Sequence, residues 1–357
     1  MYFSAASCFR FPMSLVETLR TTLDDRLAET AKKPIGPQEM ISQGFVKPLG
    51  EDGSLYVHQV MNYVGVSLCI EKRLLPASVL REALDEKIKK IEKAEDRSIK
   101  GKERTALKDA TLQELIGKSF TTKERVNAYF DLATGTLVID TTSKNKAEAV
   151  VSQIRRAMGS FPAVPLQINT SARQLMTSWI KGEALPTGLH LGEEAELHDP
   201  VEHGAVFKCS RQDLRSEEIL HHITEGKQCV RIGLVSAQGL TFLLDENLCL
   251  RKIKFTDLTA DQTAEVDHAN NYAEEMDARF LVLTGLLEPL LKTIFTAFNV
   301  TSAEPLFDDH ANTKKEADLP RRNKEKIEVI AINSHPIFAG GAHDRSERFS
   351  ITIEQRR

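Results

Sequence analysis

Leucines recur at every fourth position from Leu15 to Leu27, which is the spacing of one face of an α-helix. The pattern predicts a helix over residues 12–33, with Ser14 available as its N-cap. A second apolar stripe follows Ser78, which is the expected cap of a long helix. The helices predicted after the first one cover residues 79–95, 102–115, 144–158, 217–225, 272–279 and 286–298.

The segments between these helices are rich in β-branched and aromatic residues. Residues 56–71 predict strand structure interrupted at Asn62. Thr134-Gly135 separates two short apolar runs and predicts a β-hairpin. Further strands are predicted over 205–209, 229–235, 240–245 and 249–255. This order of elements predicts an α+β fold, a mixed α/β protein of several subdomains with antiparallel sheets and a long helical arm.

Two stretches of the chain, 70–78 and 208–216, follow the same order of strand, basic residue, leucine, serine and helix. The likeness suggests an internal duplication of an α+β unit, with one copy over about 1–165 and the other over about 166–300. The alternative is that strand-to-helix connections commonly contain serine and leucine.

The end of the chain has a different character. Residues 301–357 carry ten basic and ten acidic residues and few apolar clusters. This composition predicts a disordered or loosely attached tail. The strand-like runs IEVIAI and FSITI leave a small hairpin as the alternative.

Composition points to a reducing cytosol. The five cysteines of the 357-residue chain are scattered and form no CxxC pair, which argues against a disulfide framework and suits a reducing compartment. The N-terminus lacks a secretory signal, and no uninterrupted run of about 18 apolar residues occurs, so we expect neither export nor a membrane-spanning helix.

The net charge of −4 hides a strong polarisation. Residues 87–108 contain nine basic and four acidic side chains, a net +5, whereas residues 257–288 have a net −7. Clustered cations attract duplex DNA because they displace condensed counterions from phosphates. Lys87 and Lys90 are therefore candidate DNA contacts. The alternative is a solvated helix pair whose charges pair at (i, i+4) spacing.

Recognisable catalytic motifs are missing from the sequence. It contains no P-loop, GxGxxG, GxSxG or HExxH motif, and the neighbouring His221 and His222 point about 100° apart on a helix, which disfavours a shared metal. We therefore expect a protein that is not an enzyme and that uses neither a cofactor nor a metal. The acidic residues of 257–288 keep a metal-dependent exonuclease open as the alternative.

Several ordered segments resemble the RdgC family, the recombination-associated proteins of proteobacteria. They span about residues 1–300, in the order found in that family. The chain departs from the family at Met1-Tyr2-Phe3-Ser4, where Met-Trp-Phe-Lys is usual, and beyond residue 300. The matching segments are 44–50 (GFVKPLG), 71–79 (EKRLLPASV), 159–166 (GSFPAVPL), 179–180 with 191–197, 208–219 and 277–285.

The resemblance implies a ring-shaped homodimer that encircles double-stranded DNA without reading its bases. Such proteins associate with the nucleoid and limit the access of the recombinase RecA to DNA. The family's loop aromatic falls on Phe120 and its basic–glutamine pair on Arg211-Gln212, all expected at subunit contacts. The basic region expected near DNA includes Arg97, Lys100 and Lys118. From the residues alone, Phe120 fits an exposed contact or a local core equally well.

Overall fold

A computed structural model describes residues 3–50, 53–201, 204–255 and 272–301, which form two sheets packed with helices. Every strand pair within these sheets is antiparallel, as the sequence predicts. The C-terminal tail and the first half of the acidic stretch, residues 257–271, lie outside the described residues.

The first sheet is built from the N-terminal half of the chain. Its hydrogen-bonded order is β2-β4-β5-β6-β1-β7, and β3 pairs with β4. One face is covered by α1 (Val16–Glu29) and α4 (Lys144–Met158), whose apolar stripes join the strands in one core. The strands are β1 (Ser7–Arg10), β2 (Ile41–Val46), β3 (His58–Val60), β4 (Tyr63–Arg73), β5 (Thr121–Asp131), β6 (Thr136–Ile139) and β7 (Val164–Pro165).

The second sheet has the order β12-β11-β10-β8-β9 and packs against α5 (Ala172–Lys181) and α6 (Glu217–Thr224). The N-terminal segment links the two sheets, because the backbones of Ala6 and Leu250 exchange hydrogen bonds of 2.9 and 3.0 Å. The strands are β8 (Leu189–His198), β9 (Val206–Ser210), β10 (Gln228–Ser236), β11 (Leu240–Asp245) and β12 (Leu250–Phe255).

The last described element is a single helix, α7 (Tyr272–Ala297), so the sequence prediction of two helices in this region is wrong. Pro289 lies inside the helix without ending it. This helix has 26 residues and is long and apolar enough to cross a membrane, contrary to the sequence expectation. Its buried side chains, including Phe280 and Leu287, pack in the core of the second sheet, as those of a core helix do.

A helical arm is inserted between β4 and β5. These strands pair along their whole length, from Tyr63 opposite Asp131 to Arg73 opposite Thr121. The chain leaves the end of this ladder as α2 (Ala77–Glu95) and returns as α3 (Gly101–Lys118). The arm has a small core of its own, formed by Leu84, Ile88 and Ile99.

The structure corrects several predicted helix starts and adds elements that the sequence did not predict. The residue preceding α2 is Pro76 rather than Ser78, and the residue preceding α1 is Leu15 rather than Ser14. Gly101, just outside the predicted helix 102–115, is the first residue of α3. The sequence analysis did not assign the elements β1, β2, β7, α5 and β8.

Candidate nucleic-acid interface

The root of the arm is fixed by one side chain. The guanidinium group of Arg73 donates hydrogen bonds to four backbone carbonyls, those of Gly36, Glu39, Ile116 and Ser119, at 2.7–3.3 Å. These bonds join the last residue of β4 to the end of α3 and to the loop before β2. The arm is therefore held to the first sheet by charge-assisted hydrogen bonds at its base.

Three of the five cations predicted to contact DNA are held in ion pairs within the arm. Lys87 and Lys118 both donate to Glu114, at 2.6 and 3.0 Å. Arg97 contacts Glu95 at 2.6 Å and Glu103 at 2.5 Å. The hydrogen bonds from the two lysines lower the pKa of Glu114 to about 2. The same kind of contact with Arg97 lowers the pKa of Glu103.

Lys90 and Lys100, the other two predicted DNA contacts, are exposed and have no carboxylate partner in the part of the chain that the structure describes. Counted over both helices, residues 77–118, the arm carries eleven basic and nine acidic side chains, a net +2. The net +5 of residues 87–108 therefore overstates the charge of the arm.

An apolar patch lies beside the arm root. The side chain of Phe120 is 85% exposed, and that of Leu74 is 51% exposed. The two residues continue the β4–β5 ladder, since the Leu74 amide donates to the Phe120 carbonyl at 2.7 Å. Opposed residues of a ladder point to the same face. Phe120 is therefore exposed, so the alternative of a local core is wrong, and its role as a contact stays a prediction.

Arg211 and Gln212 follow β9, at the edge of the second sheet. Arg211 is exposed and adopts a left-handed backbone conformation with a φ of 58°. The amide of Gln212 donates to Ser216 and Glu218, at 3.3 and 2.9 Å, near the start of α6. Arg211 is thus presented to solvent, whereas Gln212 stabilises the turn that leads into the helix.

Other cations of the second sheet are paired with carboxylates of β8. Lys208 and Arg231 both contact Glu196, at 3.3 and 2.6 Å. Lys252 contacts Glu194 at 2.6 Å.

No group of three or more His, Cys, Asp or Glu side chains is placed to hold a metal ion within the described ranges. Four of the eight acidic residues of the stretch 257–288 lie outside those ranges. Of the predicted histidine pair, His222 stacks on Phe207, with ring centroids 4.1 Å apart.

A basic cleft on the first sheet was not found by the sequence analysis. It has a volume of about 760 Å³, and the described residues that line it include Lys32, Lys47, Lys123 and Arg125 together with one carboxylate, Glu71. The cations come from three separate segments of the chain, so no local cluster of charge marks them in the sequence. The only local signal is the alternation of Lys123 and Arg125 along one strand.

Comparison with known proteins places residues 1–301 in a family described as "Putative exonuclease, RdgC". A recombination-associated protein RdgC of Xanthomonas oryzae pv. oryzae is 38% identical over 305 residues, which cover 85% of this chain and all of the relative. The proteins of the same name from Stenotrophomonas maltophilia and Xanthomonas campestris pv. campestris are each 38% identical, over 305 and 309 residues, with the same coverage. The chain therefore belongs to the RdgC family of recombination-associated proteins.

Proposed function

We propose that this protein binds double-stranded DNA through the phosphate backbone, with little sequence preference, and modulates homologous recombination by limiting the access of RecA to DNA. The observation that carries the proposal is the exposed helical arm, whose Lys90 and Lys100 have no carboxylate partner among the described residues. Membership of a recombination-associated family supports a role on DNA. The protein would act in the cytoplasm, on the nucleoid, as a passive barrier rather than as an enzyme.

Part of the proposal is that two copies close into a ring around the duplex. The exposed Phe120 and Leu74 support a self-association surface, because an apolar patch beside charged residues is typical of protein contacts. Arg211 is exposed and available to a second copy, and Gln212 holds the turn that presents it.

Binding to closed-circular and linear duplexes of the same sequence tests the ring. A closed ring slides off a free end but not off a circle, so the complex with circular DNA should dissociate more slowly after a salt jump. Equal dissociation rates from both substrates would contradict encirclement. Binding that depends on base sequence would contradict recognition of the backbone.

A metal-dependent exonuclease is the alternative, and it rests on the acidic stretch 257–288 and on the family's description. Incubation of an end-labelled linear duplex with Mg²⁺ or Mn²⁺ separates the two functions. The barrier function predicts intact ends, and progressive loss of the label would favour the exonuclease.

A further inference from the structure

We propose that the cleft lined by Lys32, Lys47, Lys123 and Arg125 binds the phosphate backbone of one strand of duplex DNA. The proposal rests on the function proposed above and assigns to it a surface separate from the arm. It follows from the face on which these side chains lie, from the pairing of the single carboxylate among them, and from the difference between this cleft and the arm.

The register of the first sheet places the cations on one open face. Arg125 is opposite Cys69 and Lys123 is opposite Glu71 in the β4–β5 ladder. Directly opposed residues share a face, and successive residues alternate between faces. The other face carries the buried Leu68, Ile70 and Val126, which pack in the core covered by α1 and α4. Lys123 and Arg125 therefore point away from that core and are exposed.

Spacing along β5 gives the two cations a repeat. Residues two apart on a strand are separated by about 6.7 Å. Lys123 and Arg125 thus form a short row on one face, and Lys47 approaches the same cleft from the end of β2. A row of separated cations on an extended strand is suited to the repeated charges of a nucleic-acid backbone.

Among the described residues, the only carboxylate that lines the cleft is already paired. Glu71 accepts a hydrogen bond from Lys32 at 2.8 Å, and their side chains are only 8% and 10% exposed. The contact with Lys32 lowers the pKa of Glu71, which favours the ionised carboxylate. Lys32 thereby cancels the charge that would repel a phosphate. The nearby Glu124 points to the other face and pairs with Lys146.

Within the part of the chain that the structure describes, Lys47, Lys123 and Arg125 form no ion pair with a carboxylate, although Lys123, opposite Glu71, also helps to lower the pKa of that carboxyl. In the arm, by contrast, Lys87, Arg97 and Lys118 must leave an ion pair before they bind a phosphate fully. The free energy needed to break an ion pair offsets part of the binding free energy gained from a phosphate contact. Each cation of the cleft should therefore contribute more to DNA affinity than each paired cation of the arm.

The test is a double substitution, Lys123→Gln with Arg125→Gln, in the full chain. Fluorescence anisotropy would measure binding to a labelled duplex over a series of salt concentrations. A cation that contacts phosphate contributes about 0.9 to the slope of log K against log salt. We expect the slope to fall by about two and the affinity near 0.1 M salt to fall by at least about tenfold.

The matched control is Lys144→Gln with Arg156→Gln. Both residues are exposed on α4, which covers the opposite face of the same sheet, and neither has an ion-pair partner among the described residues. The control removes the same charge but from the opposite face, where no phosphate contact is proposed. It should therefore leave the slope unchanged and the affinity within about twofold. If the double cleft variant melts early, Lys123→Gln alone should lower the slope by about one.

The outcomes separate the two proposals. A cleft variant that binds like the control, while the unsubstituted protein shows steep salt dependence, overturns the cleft and leaves DNA binding in place. Failure of the unsubstituted protein to bind duplex DNA overturns the proposed function and the cleft with it. Loss of affinity in the cleft variant but not in the control supports both the proposed function and the cleft.

Discussion

The arm and the cleft both present cations, but they differ in what surrounds each charge. The arm carries eleven basic and nine acidic side chains on two exposed helices, and several of its cations are ion-paired. Among the described residues, the cleft gathers four cations around one carboxylate, which is itself paired with Lys32. Charge counted along the sequence favours the arm, whereas the ratio of cations to carboxylates among the described residues favours the cleft.

The two regions also differ in how they are held. The cleft lies on a sheet whose other face packs in a large core, whereas the core of the arm is small, with Ile91 and Leu107 packed against Leu84, Ile88 and Ile99. Elements with few buried contacts open at low free-energy cost. We therefore expect the arm to be positioned by its root and the cleft by the whole sheet.

The largest expected effect is on the stability of the sheet. Phe130 is fully buried and packs against the rings of Phe11 and Phe161, each with centroids 5.8 Å away. Phe130→Ala should lower the free energy of unfolding by about 3–5 kcal/mol. Denaturant titration would measure it.

Ile88→Ala is the matching change in the arm. It should remove amide-exchange protection from α2 and α3 while changing global stability by less than about 1 kcal/mol. Equal losses of global stability from Ile88→Ala and Phe130→Ala would mean that the arm unfolds together with the sheet. The two regions would then not differ in how they are held.

Arg73→Ala should loosen the attachment of the arm. It removes the donor that binds four carbonyls and leaves those carbonyls without this partner. We therefore expect the free energy of unfolding to fall by about 2–3 kcal/mol. Amide exchange at the end of α3 should rise first. Arg81→Ala, at an exposed position on α2, is the control and should change neither the free energy of unfolding nor the amide exchange of α3. Unchanged exchange in the Arg73 variant would show that the root is held by other contacts.

Phe120→Ser tests the apolar patch beside the root. Because the ring is 85% exposed, the substitution should leave the melting temperature unchanged. If the ring is a contact between copies, self-association should weaken by at least about tenfold in sedimentation equilibrium. Leu55→Ser, at an exposed leucine away from the arm, is the control. Identical sedimentation of both variants and the unsubstituted protein would remove Phe120 from the interface.

Glu114→Gln should have the smallest effect, and in the opposite direction. It releases Lys87 and Lys118 from their shared carboxylate, so duplex affinity should rise several-fold. Glu82→Gln makes the same charge change on an exposed arm residue without releasing a cation, and should raise affinity less. Equal gains in the two variants would show that total charge, rather than pairing, controls binding.

The pH dependence of the Glu114→Gln effect follows from the lowered pKa of Glu114 in the unsubstituted protein. A carboxylate with a lowered pKa keeps its ion pairs above its ordinary pKa and loses them only as the pH falls through the lowered value, here about 2. The difference between the Glu114 variant and the unsubstituted protein should therefore be constant from about pH 6 to about pH 8.

The sequence predicts the limits of a helix correctly where the residues at its ends and its apolar stripe indicate the same span. The helix α4 begins at Lys144 and ends before Gly159 as predicted, because an apolar stripe and a C-terminal glycine act together. The helix α5 had comparable signals, Ser171 before it and Gly182 after it, which the sequence analysis overlooked. The strand β8 contains Glu194 and Glu196, whose cationic partners lie on other strands, so its polarity concealed it.

The candidate interface was predictable only in part, because ion pairing is a tertiary property. The sequence marks Lys87 and Lys118 as basic, but not that Glu114 binds both of them. Cleft residues such as Lys32 and Arg125 are brought together only by strand pairing. Phe120 is the exception, since a lone aromatic in a polar, basic segment was visible before its exposure was known.

Duplex binding measured against salt tests the central claim most directly. Two unrelated duplexes of equal length would be titrated with the full chain over a range of salt concentrations. Recognition through phosphates predicts a steep linear fall of log K with log salt, with the same slope and nearly the same affinity for both sequences. Absence of binding, affinity independent of salt, or a large preference for one sequence would contradict it.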